Sequence, residues 1–519
     1  MTHLCVPIFV TDLAQAKRDI AAAAEAGADM VELRLDRLKD FGIVPEVVRE
    51  SILPVIATDR PTWEGGHSDA DDAERMTLLM VAGCEGAKYI DIELQAVKSH
   101  EAVFRKLRGG DDPREINLIL SFHDFSGRPA KLYNIVKEMD SLPADIDKLV
   151  WTARTIRDNA EVFELIAHRQ RPMIALCMGE AGLMSRVLAK KFGGFLTFAS
   201  LDSKSVTAPG QVSINDLKNL YRWDAINEKT KVFGVVANPV AHSMSPAIHN
   251  AAFDATSFDG VYLPMLVDGS YESFKAFMET FAPIESLHLS GLSVTIPHKG
   301  NALRYLKEKG AEIEDLAQLI GAVNTIAISQ NGPNPILRGW NTDYAAIVDS
   351  ITDKLGIKRE NLSKLRVGVI GAGGTGRTAV AALAHFGAIV MVSNRTHDRA
   401  AALAAEFNGR RGIVAAISTD DLCRRDLDVV INTTSVGMHP NIEANPAPDL
   451  KMTKNMVIFD TVYNPAQTKF LQLAEAAGAR TIGGIEMFVR QATSQFTIWT
   501  GIPAPREIMH EVVVARLKS

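Results

Sequence analysis

The chain has 519 residues, of which 47% are hydrophobic and 23% are charged, and its formal net charge is −6. This length and composition predict about three globular domains. The negative charge and the lack of a long basic run argue against a protein that binds nucleic acid or an anionic membrane. No apolar stretch reaches the roughly 18 residues that a membrane span needs.

The first residues and the spacing of the cysteines indicate the cellular compartment. The first ten residues, MTHLCVPIFV, predict a strand and not a signal peptide. Cys5, Cys84, Cys177 and Cys423 lie far apart without a CxxC pair. This spacing favours neither a disulfide framework nor a zinc site. We therefore expect a cytoplasmic protein without a bound metal.

Short apolar runs recur about every 25 residues through the first part of the chain. They are HLCVPIFV, MVELRLD, PVIATDR, KYIDIEL, NLILSFHDF, DKLVWTA, PMIALCM and FLTFAS, with helix-like segments such as DLAQAKRDIAAAAEAGA between them. Apolar strands that alternate with helices predict a parallel sheet covered on both faces. Eight units predict a closed (β/α)₈ barrel, and the alternative is an open doubly wound sheet.

Ionisable residues follow the ends of these predicted strands, where barrel enzymes place their active sites. They are Glu32, Arg34, Asp36, Arg60, Asp91, Glu93, His123, Asp124 and Lys148, with Arg186, Thr207 and Gln211 in the last two loops. So many charges on different strands predict one polar cavity. We interpret Asp36 and Asp124 as ion-pair partners at the barrel rim.

The types of these residues indicate a chemistry. Three arginines favour a carboxylate substrate, because a guanidinium group matches a carboxylate with two hydrogen bonds. A lysine among cations and apolar walls loses its proton more easily, and a neutral amine attacks carbonyls to form a Schiff base. Lys148 is therefore the predicted nucleophile, and His123 is the predicted proton shuttle.

Seven motifs in this part of the chain occur in the order found in one enzyme family. They are ELRLDRL, TDRPTWEGG, IDIEL, SFHDF, ADIDK, GLMSRVLAKKFGGFLTF and APGQ, and they resemble type I 3-dehydroquinate dehydratase over nearly all of residues 1–225. The resemblance implies that Lys148 forms an imine with the C3 ketone of 3-dehydroquinate. It also implies that His123 removes the C2 proton and helps to expel the C1 hydroxyl, and that Glu64 orients His123.

The same resemblance implies a set of substrate-binding residues. They are Glu32, Arg34, Arg60, Arg186, Thr207 and Gln211. Thr207 departs from the family pattern, which usually has serine at this position, but it keeps the hydroxyl group.

A polar segment, RWDAINEKTK at residues 222–231, predicts a domain boundary before the strand KVFGVVANP. We expect a barrel over residues 1–225 and a smaller substrate-binding domain over residues 232–345. A dinucleotide-binding domain should cover residues 346–485. The last residues, 486–519, should form helices that return to the substrate-binding domain.

A glycine-rich turn lies in LRVGVIGAGGTGRTAVAALAHFGA, between a predicted strand and an Ala-rich helix. Its glycines are Gly371, Gly373, Gly374 and Gly376. This context predicts a Rossmann domain, in which the backbone approaches a pyrophosphate at the helix N-terminus.

The end of the following strand indicates which dinucleotide binds. NAD enzymes usually place a carboxylate there, about 20 residues after the glycines. This chain instead has Asn394, Arg395 and Thr396, with Arg399 nearby. Cations at a helix start oppose the helix dipole and favour an anion there. The residues therefore predict NADP(H), whose 2′-phosphate the arginines would bind.

Loops of the smaller domain carry NPVAHSMSPAIHN, SVTIPHKG, GAVNT and GWNTD, whose polar residues suit a polyhydroxylated substrate. Together with INTTSVGM, FDTVYNP and GGIEMFVRQA they resemble shikimate dehydrogenase across residues 232–519. The resemblance implies that Lys299 protonates the ketone oxygen while NADPH delivers hydride, and that Asp343 steadies the ammonium. It implies shikimate contacts from Ser243, Ser245, Thr295, Asn324, Tyr463 and Gln491. It places Met438, Thr461, Gly484 and Met487 near the cofactor.

The two resemblances imply consecutive reactions on one fused chain, from 3-dehydroquinate through 3-dehydroshikimate to shikimate. A quinate dehydrogenase in the second half is an alternative, which Ser243 and Thr295 disfavour. A regulatory binding protein derived from these enzymes is another, which the complete set of catalytic groups disfavours. A chain in which one of the two halves is inactive is a third alternative. We expect only small-molecule partners and a monomer or homodimer.

Overall fold

The computed structural model describes residues 1–101, 116–202, 207–241, 243–332 and 334–518. Three sheets organise these residues, one of eight strands and two of six. Helices cover the sheets. None of the described helices combines the length and the apolar character needed to cross a membrane.

The first sheet forms a barrel of parallel strands. They are β1 (His3–Phe9), β2 (Met30–Arg34), β3 (Val55–Thr58), β4 (Tyr89–Glu93), β5 (Asn117–Asp124), β6 (Ile146–Thr152), β7 (Met173–Met178) and β8 (Leu196–Phe198). Their order is β7-β6-β5-β4-β3-β2-β1-β8, so β1 pairs with both β2 and β8. The Phe195 amide donates to the Met173 carbonyl at 2.7 Å and brings β8 beside β7. The predicted eight-stranded barrel is confirmed, and the open sheet is not formed.

Helices connect these strands on the outside of the barrel. They are α1 (Leu13–Glu25), α2 (Val44–Arg49), α3 (Asp72–Cys84), α4 (Leu94–Ser99), α5 (Leu132–Asp140), α6 (Asp158–Ala167), α7 (Leu183–Val187) and α8 (Ala189–Phe192). Every residue of β7 is buried, as expected of a strand that is covered on both faces. Asp12 fixes the start of α1, because its side chain accepts from the Gln15 amide at 2.8 Å.

The second sheet is mixed. Its strands are β9 (Lys231–Ala237), β10 (Gly260–Leu266), β11 (Leu289–Val294), β12 (Glu312–Ile313), β13 (Thr325–Ser329) and β14 (Ile336–Trp340). Their order is β10-β9-β11-β13-β14-β12, and β13 runs antiparallel to both of its neighbours. Its helices are α9 (Ser245–Ala255), α10 (Tyr271–Phe281), α11 (Lys299–Glu308) and α12 (Asp315–Ile320).

The third sheet is parallel throughout. After α13 (Thr342–Leu355), its elements are β15 (Arg366–Ile370), α14 (Gly374–His385), β16 (Ile389–Ser393), α15 (His397–Phe407), β17 (Ile413–Ala416), α16 (Thr419–Cys423), β18 (Val429–Asn432), β19 (Val457–Asp460), α17 (Lys469–Ala476) and β20 (Arg480–Ile482). The order β17-β16-β15-β18-β19-β20 is that of a dinucleotide-binding sheet. The Rossmann prediction is confirmed, and the order reverses at β15, where such sheets bind their ligands.

Two C-terminal helices pack on the second sheet. They are α18 (Gly484–Thr500) and α19 (Arg506–Lys518). Phe496 and Trp499 of α18 and Met509 of α19 share a buried core with Phe233 and Tyr262 of the sheet. The end of the chain therefore returns to the sheet that begins after the barrel.

Lys191 of α8 joins the barrel to the following segment. Its Nζ donates to the Glu228 carbonyl at 2.6 Å and the Thr230 carbonyl at 2.9 Å, and lies 2.9 Å from Nδ1 of His288. Burial lowers the pKa of Lys191 to about 8. The connection between the barrel and the second sheet is thus held by hydrogen bonds to the barrel.

Candidate active sites

One pocket opens at the C-terminal ends of the barrel strands. Its lining includes all nine residues that the sequence assigned to the first site, namely Glu32, Arg34, Arg60, Glu64, His123, Lys148, Arg186, Thr207 and Gln211. Val150, Leu176, Met178 and Phe198 add apolar walls. Closure of the barrel brings these strand ends together, as the eight-unit pattern requires.

Lys148 lies in β6 and is only 4% exposed. Its Nζ donates to Oδ2 of Asp91 at 2.8 Å and to Oε1 of Glu32 at 3.1 Å. The same atom lies 4.6 Å from the centre of the Phe198 ring. The sequence predicted cations and apolar walls around this lysine, whereas its nitrogen lies between two carboxylates and an aromatic ring. The nitrogen is therefore held in one place, which suits attack on a bound carbonyl.

His123 and Glu64 form a hydrogen-bonded pair at the side of this pocket. Nδ1 of His123 lies 2.8 Å from Oε2 of Glu64. Burial lowers the pKa of His123 well below its usual value, and Arg60 and Lys148 add to this effect. Burial also raises the pKa of Glu64 to about 8. At neutral pH the imidazole is therefore uncharged, and its Nε2 can accept a proton.

Arg60 is the centre of a buried polar network. Its Nη1 donates to Oε1 of Glu93 and to Oγ of Ser121, both at 2.7 Å. Its Nη2 donates to Oδ1 of Asp91 at 2.6 Å. Sequence reasoning assigned no role to Asp91, Glu93 or Ser121. The alternation in IDIEL carries a signal for the two acids, since residues two apart point to the same face of a strand.

Arg186 differs from the other arginines of the pocket. It is 2% exposed, forms no ion pair among the described residues, and its Nε lacks a hydrogen-bond partner there. Burial lowers its pKa to about 10. A buried cation without a counter-ion is costly, so an anionic ligand group would stabilise it.

Asp36 and Asp124, which were interpreted as ion-pair partners at the barrel rim, differ from each other in the structure. Asp36 accepts from Arg34 at 2.8 and 2.9 Å, so this interpretation is confirmed. Asp124 instead accepts from the amide and hydroxyl of Ser126, and in the described part of the chain it forms no ion pair. Its carboxylate caps a local turn, which needs no cation.

A second cleft of about 390 Å³ lies between the second and third sheets. Its lining includes Ser243, Ser245, Thr295, Lys299, Asn324, Asp343, Thr461, Tyr463, Gly484, Met487 and Gln491, all of which the sequence assigned to the second site. Met438 is not in this lining, and its side chain is 45% exposed on the loop after β18. Thr375 of α14 does line the cleft and connects it to the glycine-rich turn.

Lys299 and Asp343 form an ion pair in this cleft. Nζ of Lys299 donates to Oδ2 of Asp343 at 2.5 Å. Asn341 caps α13 and accepts from the amides of Asp343 and Tyr344 at 3.1 and 3.3 Å. This cap holds the carboxylate in the first helical turn, where the helix dipole favours a negative charge. The pair presents a partly exposed ammonium to the cleft.

Gln495 of α18 connects this helix to the second sheet and was not assigned from the sequence. It is 2% exposed, and its Oε1 accepts from Oγ of Ser293 at 2.8 Å. Its Nε2 donates to the Asn324 carbonyl at 3.2 Å and to Oγ1 of Thr325 at 3.0 Å. The available signal was its spacing of four from Gln491, which places both on one helix face.

The glycine-rich turn has the shape of a dinucleotide cradle. Gly371 has φ +113°, and a Cβ on Gly376 would lie 2.1 Å from the Gly371 carbonyl oxygen, so both positions require glycine. A Cβ on Gly373 or Gly374 would meet no protein atom within 4 Å. Asn394 accepts from the amide after Gly371 at 3.1 Å. The backbone of this turn and the open space beside Gly373 and Gly374 thus fit a pyrophosphate at the start of α14.

Arg395 and Arg399 are exposed at the start of α15, next to Thr396. Within the ranges that the structure covers, neither arginine forms an ion pair. Unpaired cations at a helix N-terminus fit the 2′-phosphate of NADP(H). Groups of three or more His, Cys, Asp or Glu able to hold a metal ion do not occur among the described residues.

Four family profiles match the chain in order. They are Type I 3-dehydroquinase at residues 4–228, Shikimate dehydrogenase substrate binding domain at residues 235–326, Shikimate / quinate 5-dehydrogenase at residues 354–469 and Shikimate 5'-dehydrogenase C-terminal domain at residues 484–514. The successive matches span both halves of the molecule.

The chain is similar to several characterised proteins. It is 39% identical to a chloroplastic bifunctional 3-dehydroquinate dehydratase/shikimate dehydrogenase of Arabidopsis thaliana, over 98% of this chain and 84% of the relative. It is 34% identical to a shikimate dehydrogenase (NADP(+)) of Caldanaerobacter subterraneus subsp. tengcongensis, over 56% of this chain and 98% of that one. A solved structure of the dehydroquinate dehydratase and shikimate dehydrogenase from S. pombe AroM is 25% identical, with a TM-score of 0.46 over 99% of this chain and 98% of that chain.

Proposed function

The chain belongs to the family of bifunctional 3-dehydroquinate dehydratase/shikimate dehydrogenases, and we propose how its residues divide the two reactions. The barrel pocket dehydrates 3-dehydroquinate to 3-dehydroshikimate. The second cleft reduces 3-dehydroshikimate to shikimate with NADPH. The observation that carries the proposal is that one chain has two such sites. The first is a buried lysine beside a buried imidazole, and the second is a Lys–Asp pair beside a dinucleotide cradle.

The direct test supplies 3-dehydroquinate as the only substrate, with NADPH and this chain as the only protein. We expect NADPH to be oxidised, because both halves must act in sequence. Oxidation with 3-dehydroshikimate but not with 3-dehydroquinate would mean an inactive barrel. If neither substrate led to NADPH oxidation, a regulatory binding protein would be favoured.

In the barrel, Arg186 holds the substrate carboxylate and Lys148 supplies the nucleophile. The neutral amine of Lys148 adds to the C3 carbonyl, and uptake of a proton from solvent with loss of water gives a cationic imine. Nε2 of His123 takes the C2 proton, and the electron pair moves toward the iminium. The imidazolium then protonates the C1 hydroxyl, which leaves as water while the C1–C2 double bond forms. Hydrolysis of the imine frees the product.

In the second cleft, Lys299 and Asp343 handle the proton. NADPH, when bound, supplies the hydride. Lys299 donates a proton to the ketone oxygen, and the carboxylate of Asp343 holds the ammonium at the required position. Ser243, Ser245 and Asn324 offer hydroxyl and amide groups for the hydroxyls of the substrate.

Arg395 should decide the preference for NADPH. The variant Arg395→Ala removes a cation that would pair with the 2′-phosphate, so we expect the KM for NADPH to rise about tenfold or more. The KM for NADH should not change, because that cofactor lacks the phosphate. The exposed Arg424 provides a control, since Arg424→Ala should alter neither value. Equal losses with both cofactors would contradict the assignment.

Gln495 should hold the substrate-binding wall in place. Gln495→Met keeps the volume but leaves the buried groups of Ser293 and Asn324 without this partner. We expect a stability loss of about 1–3 kcal/mol and a KM for 3-dehydroshikimate that rises several-fold. Steady-state kinetics and thermal melts measure both. Gln472→Met, at an exposed glutamine, is the control.

We propose a barrel domain over residues 1–225, a substrate domain over 232–345, a dinucleotide domain over 346–485 and returning helices over 486–519. The interval between Phe198 of the barrel and Lys231 of the second sheet supports the first boundary. We also propose a location in the cytoplasm, which fits the buried Cys5, Cys177 and Cys423, since they form no disulfide. The proposed oligomeric state is a monomer or a homodimer. Light scattering on the purified chain tests the oligomeric state.

A further inference from the structure

Asp91 lies beneath the barrel pocket and not in its lining. It belongs to β4 and is fully buried. Its Oδ2 accepts from Nζ of Lys148 at 2.8 Å, and its Oδ1 accepts from Arg60 and from Ser121, each at 2.6 Å. One oxygen therefore faces the reactive nitrogen while the other is fixed by two donors.

Several other groups also face Lys148. They are Cys5 on β1, Glu32 and Arg34 on β2, Arg60 after β3, His123 on β5 and Arg186 on α7. Glu32 is the second carboxylate, at 3.1 Å from Nζ, and it also accepts from Thr58. Burial opposes ionisation of Asp91, but Arg60 and Lys148 hold its pKa below the usual value. Asp91 is therefore charged at neutral pH.

We propose that Asp91 is a positioning residue of the dehydratase, which directs the Lys148 nitrogen into the pocket and serves as counter-ion of its imine. This inference rests on the proposed imine at Lys148. The ammonium first releases a proton to water, the amine adds to the C3 carbonyl, and a proton from water then converts the C3 hydroxyl into the water that leaves as the C=N bond forms. Positive charge thereby returns to the same nitrogen, 2.8 Å from the carboxylate in the free enzyme.

The carboxylate of Asp91 holds the nitrogen at 2.8 Å and places a negative charge beside the cationic imine that forms there. Without this charge the nitrogen loses one of its two carboxylate anchors and the imine loses a counter-ion. Less imine should therefore accumulate, and dehydration should slow.

The test compares Asp91→Asn with Glu93→Gln in the full-length chain. Glu93 is equally buried and contacts the same Arg60, but in the described residues it does not contact Lys148. Borohydride trapping with 3-dehydroquinate, read as added mass on Lys148, gives the fraction of the chain that carries the imine. We expect this fraction to fall several-fold in Asp91→Asn and to stay unchanged in Glu93→Gln. The dehydratase kcat of Asp91→Asn should fall on the order of 100-fold.

The outcomes separate this inference from the function it rests on. Absence of trapping in the unmodified chain would remove the imine at Lys148 and the inference with it. Trapping in the unmodified chain, with an unchanged imine fraction in Asp91→Asn or an equal loss in both variants, would overturn the role of Asp91 alone. Circular dichroism identifies variants that fail to fold. If Asp91→Asn is one, Asp91→Glu replaces it, which keeps the charge but displaces it. We then expect a kcat at least about tenfold lower, and a normal kcat overturns the proposal.

Discussion

We expect Lys148→Met to abolish dehydration of 3-dehydroquinate and to leave reduction of 3-dehydroshikimate by the same chain unchanged. Methionine fills much of the volume of the lysine stem but supplies no amine, so no imine can form. Loss of a covalent nucleophile costs on the order of 10⁴-fold or more in kcat. The dehydratase rate is measured by the appearance of the conjugated enone, and the reductase rate by NADPH oxidation with 3-dehydroshikimate.

This experiment separates loss of the catalytic amine from loss of the folded structure. Asp91 loses one of its cationic partners in Lys148→Met but keeps Arg60, so the barrel should be destabilised without unfolding. Lys137→Met, at an exposed lysine of α5, should behave like the unmodified chain in both assays. If Lys148→Met retained dehydratase activity within tenfold of normal, acid–base chemistry without an imine would have to replace the proposed mechanism.

The barrel and the identity of its pocket residues could be predicted because two simple regularities act together. Apolar runs repeat eight times, and a closed parallel barrel brings all strand ends to one face. Lys148 and His123 were found in this way, although 25 residues separate them in the chain. The pattern could not show which residue pairs with each charged side chain. Arg60 was expected to bind substrate, but Asp91, Glu93 and Ser121 occupy much of its guanidinium group.

In the second half, short motifs predicted many of the residues that line the cleft, because most of these motifs lie at the end of a strand or the start of a helix. Lys299 is the first residue of α11 and Asp343 is the second residue of α13, and both helices begin at the cleft. Gln495 was missed because its role depends on the packing of α18 against strands more than 150 residues earlier. Met438 was placed near the cofactor by motif alone, and its position on an exposed loop outside the cleft lining is decided by tertiary structure.

We expect Lys299→Met to lower the reductase kcat on the order of 10³-fold, within the range for loss of a general acid, and to leave the dehydratase active. The KM for 3-dehydroshikimate should change little, because the neighbouring hydroxyl and amide groups of the cleft remain. Supplied with 3-dehydroquinate and NADPH, this variant should accumulate the enone intermediate instead of shikimate. Product analysis by liquid chromatography measures that accumulation directly.

Asp343→Asn distinguishes the acid from the group that positions it. The amide keeps the shape and its oxygen can still accept from Lys299, but the charge that holds the ammonium is gone. We expect a smaller loss of kcat, about 10- to 100-fold, since the residue acts through Lys299. Lys307→Met, at an exposed lysine of the same helix α11, should leave the rate unchanged. A loss in Asp343→Asn equal to or greater than that in Lys299→Met would mean that the carboxylate itself transfers the proton, and the roles of the pair would have to be exchanged.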